Sequence, residues 1–169
     1  MTDQVDRLVA AWRRERPDLD VEPLQVLSRV SRLARHLELA RREAFEQLGL
    51  AQWGFDVLTA LRRHGPDYEL TPGELLAETL VSSGTMTHRI DQMEAAGLVA
   101  RQADPGDGRV VRVRLTPAGR AAADAALGSL LERERELLGP LSSDDRASLA
   151  LLLRRLLEPF DREPARRQP

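Results

Sequence analysis

The chain has no cysteine, no lysine, only three histidines and no long apolar run. Without cysteine, disulfides, thiolate metal sites and cysteine redox switches are excluded. The histidines, His36, His64 and His88, stand far apart with no ligand spacing, so neither a metal site nor a metal cofactor is expected. No apolar stretch approaches the roughly 20 residues of a membrane span. Met1-Thr2-Asp3-Gln4 also lacks the basic and apolar regions of a signal peptide. A cytoplasmic protein without a membrane partner is expected. There is no nucleophile–base pair and no glycine-rich phosphate loop, so an enzyme is not expected and no cofactor is implied.

What remains is a chain of 169 residues, 42% hydrophobic and 31% charged, long enough to bury a core as one domain. The net charge of -2 lacks the basic footprint usual for nucleic-acid binders. Its distribution is more informative. Between Ser82 and Arg120 stand Arg89, Arg101, Arg109, Arg112, Arg114 and Arg120 against Asp91, Glu94, Asp104 and Asp107, a modest local excess of positive charge. Every basic residue is arginine, the side chain suited to bidentate phosphate or carboxylate contacts.

In chain order, Asp3 caps a helix over about 4–16 with Val5, Leu8, Val9 and Trp12 on one stripe. Asp20 then caps a long helix over about 21–48, with Leu24, Leu27, Val30, Leu33, Leu37, Ala40, Ala44 and Leu48 as its apolar line. That length exceeds what a small core needs, so the apolar face is expected to extend into a partner chain. A third helix, 50–63, buries Phe55, Leu58 and Leu61, and 67–70 suits a short strand. Thr71-Pro72-Gly73-Glu74 combines an N-cap, a proline at the first helical position and a capping-box glutamate, opening a helix that ends near Thr79. Ser82 caps the next helix, which Gly97 closes. Strands over 98–102 and 110–115 flank the turn-forming Asp104-Pro105-Gly106-Asp107-Gly108. Thr116-Pro117 opens a helix to about Leu138, and Ser142 caps a last helix lined by Leu149, Leu152, Leu153, Leu156 and Leu157. The fold class expected is mainly α with a small β-hairpin: a winged helix-turn-helix over 50–116, a helical dimerisation lobe from 1–49 and 117–160, and a flexible tail over 161–169.

In the second helix of that pair, Met86, Ile90, Met93 and Gly97 share one stripe at about 100° per residue. Ser82, Ser83, Thr85, Thr87 and His88 are the candidates for contact with double-stranded DNA: short polar side chains that let a helix enter a major groove closely. An ordinary capped helix with a small polar face would look the same. Arg109, just past the turn, favours the DNA reading, because an arginine at a wing tip is suited to a minor groove.

Ser82 to Ile90, Met93 to Arg101, Asp104 to Arg109 and Leu115-Thr116-Pro117-Ala118-Gly119-Arg120 together resemble the MarR family of transcriptional regulators, in order and spacing over about 20–160. The resemblance implies a homodimer that presents two winged units to a pseudo-palindromic operator. The extra N-terminal helix with Trp12 narrows it to the urate-responsive (PecS-like) branch. That branch implies an effector pocket of Trp12, Asp56, Arg89 and Arg101 for a small anionic ligand: urate, a related purine product or a citrate-like acid. On the residues alone, Trp12 could equally be core, Asp56 a structural partner of an arginine, Arg89 a phosphate contact and Arg101 a solvated strand residue. The alternative function is a constitutive DNA-binding or architectural dimer without an effector.

Overall fold

The computed structural model describes residues 2–79, 83–104 and 106–161. Among them are seven α-helices, α1 (Gln4–Glu15), α2 (Pro23–Glu46), α3 (Gln52–Arg63), α4 (Pro72–Thr79), α5 (Ser83–Ala95), α6 (Pro117–Leu138) and α7 (Ser143–Asp161). Three strands, β1 (Glu69–Leu70), β2 (Val99–Ala103) and β3 (Val111–Leu115), form an antiparallel sheet in the order β1-β3-β2. No helix among the described residues is long and apolar enough to cross a membrane. The fold is mainly helical with a winged helix-turn-helix at its centre. The chain divides into two compact units, Met1–Arg133 and Glu134–Pro169, the division falling inside α6.

In the first unit, the core gathers Val57, Leu58 and Leu61 of α3, Leu75 of α4, Met86, Ile90 and Met93 of α5, and Val99, Val113 and Leu115 of the sheet. Of the stripe expected on α5, Met86, Ile90 and Met93 are buried, while Gly97 is exposed just past the helix end. A second cluster joins α2, α3 and α6 through Ala44, Phe45, Phe55, Ala126 and Leu130. In it the Phe45 and Phe55 rings stack at 4.3 Å. Val5 and Val9 of α1 pack with Val21 and Leu24 at the start of α2. Arg29 fastens the same junction, donating to Asp3 at 2.9 Å and to Asp6 at 2.7 Å.

The capping signals at Thr71 and Ser142 act as expected. Glu74 accepts the Thr71 N–H at 2.7 Å, and Thr71 Oγ1 accepts the Glu74 N–H at 3.2 Å. In the second unit, Ser142 Oγ accepts the Asp145 N–H at 3.2 Å, opening α7.

The short strand expected over 67–70 forms at Glu69–Leu70 and makes the wing three-stranded, pairing with Arg114 and Val113 and so covering the edge of β3. One expectation is corrected: Asp20 does not cap α2 but accepts the Glu22 N–H at 2.9 Å in a turn, and the helix begins at Pro23. Of the apolar line on α2, Ala44 is buried, while Leu27, at 57% exposure, Val30 and Leu33 face outward.

Gly119 decides how α6 meets the sheet. A Cβ placed there would sit 1.8 Å from the Leu98 carbonyl oxygen. Thr116 locks the same corner, its hydroxyl donating to Gly97 O at 2.7 Å and accepting the Gly119 N–H at 3.0 Å. Gly97 itself holds φ +71, the left-handed turn that ends α5. Gly119→Ala should therefore destabilise the fold by roughly 2 kcal/mol or more in urea denaturation. Gly128→Ala on the same helix meets nothing within 4 Å and should stabilise it by up to about 1 kcal/mol.

Candidate nucleic-acid interface and effector recess

With Met86, Ile90 and Met93 buried, the remaining α5 side chains must face outward or sideways. Thr85, Thr87, His88, Asp91 and Gln92 are exposed and form a polar outer surface. Ser82 lies outside the described residues. Ser83 is the first residue of α5.

Arg109 is exposed at the hairpin turn. The turn is organised by its own carboxylates. Asp107 accepts the Arg109 N–H at 3.0 Å, and Asp104 accepts the N–H groups of Gly106 at 2.7 Å and Asp107 at 3.1 Å. Asp104 also pairs with Arg112, which holds its carboxyl below the ordinary aspartate range. Arg112 stands 3.7 Å from Glu69 of β1 as well. The tip thus presents Arg109 from a loop pinned at its base.

Of the four candidate effector residues, Asp56 and Arg89 lie near enough for their charges to interact. Asp56 is half-buried on α3, and burial raises its carboxyl above the ordinary value. A hydrogen bond from Gln52 at 3.4 Å and the charges of Arg41, Arg89 and Arg63 act in the opposite direction. Arg89, half-buried on the flank of α5, holds its guanidinium 5.4 Å from the centre of the Trp53 ring. Asp56 also lines a recess of about 330 Å³ with Arg41, Gln52, Phe55, Thr59, Arg63, Glu78 and Thr79. That volume falls at the small end of ligand pockets.

The other two stand elsewhere. Arg101, on the core side of β2, is committed to α5: its backbone N–H donates to Glu94 at 3.0 Å, and its guanidinium pairs with both Glu94 and Asp91. These contacts hold the Glu94 carboxyl below its ordinary range. Trp12 is 47% exposed on α1, whose Val5 and Val9 face α2. Of the four candidates, only Asp56 lines the recess; Arg89, Arg101 and Trp12 do not.

Arg41, Gln52, Trp53 and Arg63 were missed by reading apolar stripes, since polar residues on such helices read as solvent-facing. The spacing held a signal nonetheless: Gln52 and Asp56 are four apart, and Trp53 and Asp56 three apart, so all share one side of α3. Among the described residues, no group of three or more His, Asp or Glu side chains is placed to hold a metal ion.

A family model described as MarR family matches residues 48–110. The HTH-type transcriptional regulator PecS of Dickeya dadantii (strain 3937) is 35% identical over 153 residues, covering 90% of this chain and 92% of PecS. A solved structure of Bordetella bronchiseptica BpsR, whose DNA binding is regulated by 6-hydroxynicotinic acid, has a TM-score of 0.63 and 27% identity, covering 78% of this chain and 91% of BpsR. A mutant of MarR from E. coli complexed with operator DNA has a TM-score of 0.66 and 28% identity over 81% of this chain and 95% of MarR.

The raised Asp56 carboxyl gives a pH prediction. The folded protein holds that proton more tightly than the unfolded chain, so its ionisation costs stability as pH rises from the ordinary aspartate value through the raised one. Asp56→Asn should accordingly raise Tm relative to the parent at pH 7, with the difference closing toward pH 4. A difference that is constant with pH in a thermal melt would contradict it.

Proposed function

The chain belongs to the MarR family of DNA-binding transcriptional regulators, and from that membership we propose that it acts in the cytoplasm as a homodimeric repressor released from its operator by a small anionic metabolite. The family is one of regulators rather than enzymes. In this reading, two winged units lie on a pseudo-palindrome with half-sites about one DNA turn apart. The start of α5, with Ser82, Ser83, Thr85, Thr87 and His88, enters the major groove, and Arg109 reaches the neighbouring minor groove. The helical segments 1–49 and 117–160 form the dimerisation lobe.

One observation carries the effector half of the proposal: Arg89 leaves the DNA-facing helix on its half-buried flank, close enough to Asp56 for the two charges to interact. An anion bound to Arg89 would compete with Asp56 and repel it, and any shift of Arg89 is a shift of α5. Arg101 would join when the anion draws it from Asp91 and Glu94, and Trp12 would wall the site once a second copy covers α1. Urate and related purine products fit a pair of guanidiniums as planar anions. The heteroaromatic acid that regulates BpsR belongs to the same broad chemical class. Such a switch works through differential affinity: roughly 5.5 kcal/mol of preference would move a 1:99 equilibrium to 99:1, and smaller preferences shift occupancy in proportion.

The test is operator binding followed by fluorescence anisotropy, with urate, 6-hydroxynicotinate and citrate as competitors. The parent should release DNA at a saturable concentration of at least one of them. Arg109→Ala should weaken operator binding roughly tenfold without changing the half-release concentration. Arg89→Ala should raise that concentration roughly tenfold or more. A parent that stays bound to DNA, with no saturable rise in Tm from any of the three, would identify a constitutive binder instead.

A further inference from the structure

The aromatic ring that the structure sets against Arg89 is Trp53, not Trp12. Its ring carries the Arg89 guanidinium at 5.4 Å, and the indole is half-buried against the core. Among the described residues, the Arg89 side chain makes no hydrogen bond or ion pair, although Asp56 is close enough for their charges to interact. A guanidinium has five N–H donors and no acceptor, and packing against a ring face uses none of those donors. The ring therefore offers the cation a partner that leaves its donor fork open.

We propose that Trp53 is a positioning residue of the effector site, holding Arg89 short of an ion pair with Asp56 so that its N–H fork remains open to a planar anion. The inference rests on Asp56 and Arg89 forming the effector site. Trp53 and Asp56 lie three residues apart on α3, so both approach Arg89 from the same side of that helix. They compete for one cation in different ways: the carboxylate would occupy its donors, whereas the ring occupies its face. Removing the ring leaves Asp56 as a carboxylate whose charge reaches Arg89 and can compensate it. An arriving anion would then have to displace an ion pair already formed. The class of ligand follows from the geometry. A guanidinium fixed by its face presents its donors in one plane, which suits an anion with two coplanar acceptor oxygens, or an oxygen and a ring nitrogen.

The experiment compares full-length parent, Trp53→Phe, Trp53→Leu and Arg89→Ala, with urate and 6-hydroxynicotinate as probes. Affinity is read by calorimetry, and operator binding without probe by anisotropy. Trp53→Phe keeps a ring face and should bind the probe within about twofold of the parent. Trp53→Leu should bind it at least roughly fivefold more weakly while operator affinity stays within about twofold. NMR titration of the Asp56 carboxyl should move to lower pH in Trp53→Leu, because Arg89 then pairs with it. Trp53→Leu with parental probe affinity, or with no change at Asp56, overturns the inference. So does equal loss of both probe and operator binding in the Phe and Leu variants, which marks a purely structural tryptophan. If Arg89→Ala loses the probe and Trp53→Leu does not, only this inference falls. If Arg89→Ala binds the probe as the parent does, or the parent binds neither probe, the effector reading itself has failed.

Discussion

Met86, Ile90 and Met93 bury one face of α5 against α3, α4 and the sheet, and this contact sets where every other side chain of the helix can point. Helical spacing leaves about 100° between successive residues. Once those three are inside, Thr87 and His88 must be outside, and Arg89 must lie on the flank. A helix held by unbranched methionines at two of three anchor points has side chains that tolerate small displacements better than branched ones. The polar outer surface of α5 and its flanking arginine are thus two consequences of one packing decision. Neither can move without the other.

The sheet enters through charge rather than through apolar contact alone. Arg101 sits on the core side of β2 and reaches across to Asp91 and Glu94, so the wing and α5 are tied by a guanidinium between two carboxylates. Arg112 ties the turn to β1 on the opposite side of the sheet through Asp104 and Glu69. Such partly exposed pairs contribute little to global stability. Their consequence is directional. They fix how the hairpin tip is angled relative to α5, which on the proposed reading decides whether α5 and Arg109 can fit two grooves at once. The close approach at Gly119 acts on the same corner from below, since the start of α6 sits directly against the Leu98 carbonyl.

Much of this was legible in the sequence because it depends on local rules. The Thr71–Glu74 and Ser142–Asp145 caps, Gly97 at a left-handed turn and the buried stripe of α5 are each specified by residues within a few positions of one another. The third strand was only half legible. Two residues carry no alternation, and Glu69 and Leu70 are a strand only because β3 offers them an edge. The effector region was least legible. Asp56 and Arg89 are distant in sequence, and tertiary packing brings them near enough for their charges to interact. Trp53, which packs against Arg89, resembles any aromatic residue in a helix against a core. Resemblance implies Arg101 as a pocket residue, whereas its pairing with Asp91 and Glu94 follows from how β2 packs on α5. Resemblance supplied residue types at four positions, but which of them touch depends on packing.

The apolar residues left outside argue for the quaternary part of the proposal. Leu27, Val30 and Leu33 recur along α2 at helical spacing, and Leu151, Leu152, Leu156, Leu157 and Phe160 are exposed on α7, a helix with no buried residue at all. Isolated exposed leucines are ordinary, but rows of them along helices are not. Full burial of one such side chain stabilises by about 1.5–3 kcal/mol, so a helix that buries none lacks the main term that holds helices in folded proteins. A second copy of the chain would supply matching rows, since a two-fold axis sets each helix against an identical surface. The same axis would repeat the α5 and Arg109 contacts at a fixed distance, which is the geometry that a pseudo-palindrome requires. On this view, the residues that failed to find a core within the chain are what give the two reading units their spacing.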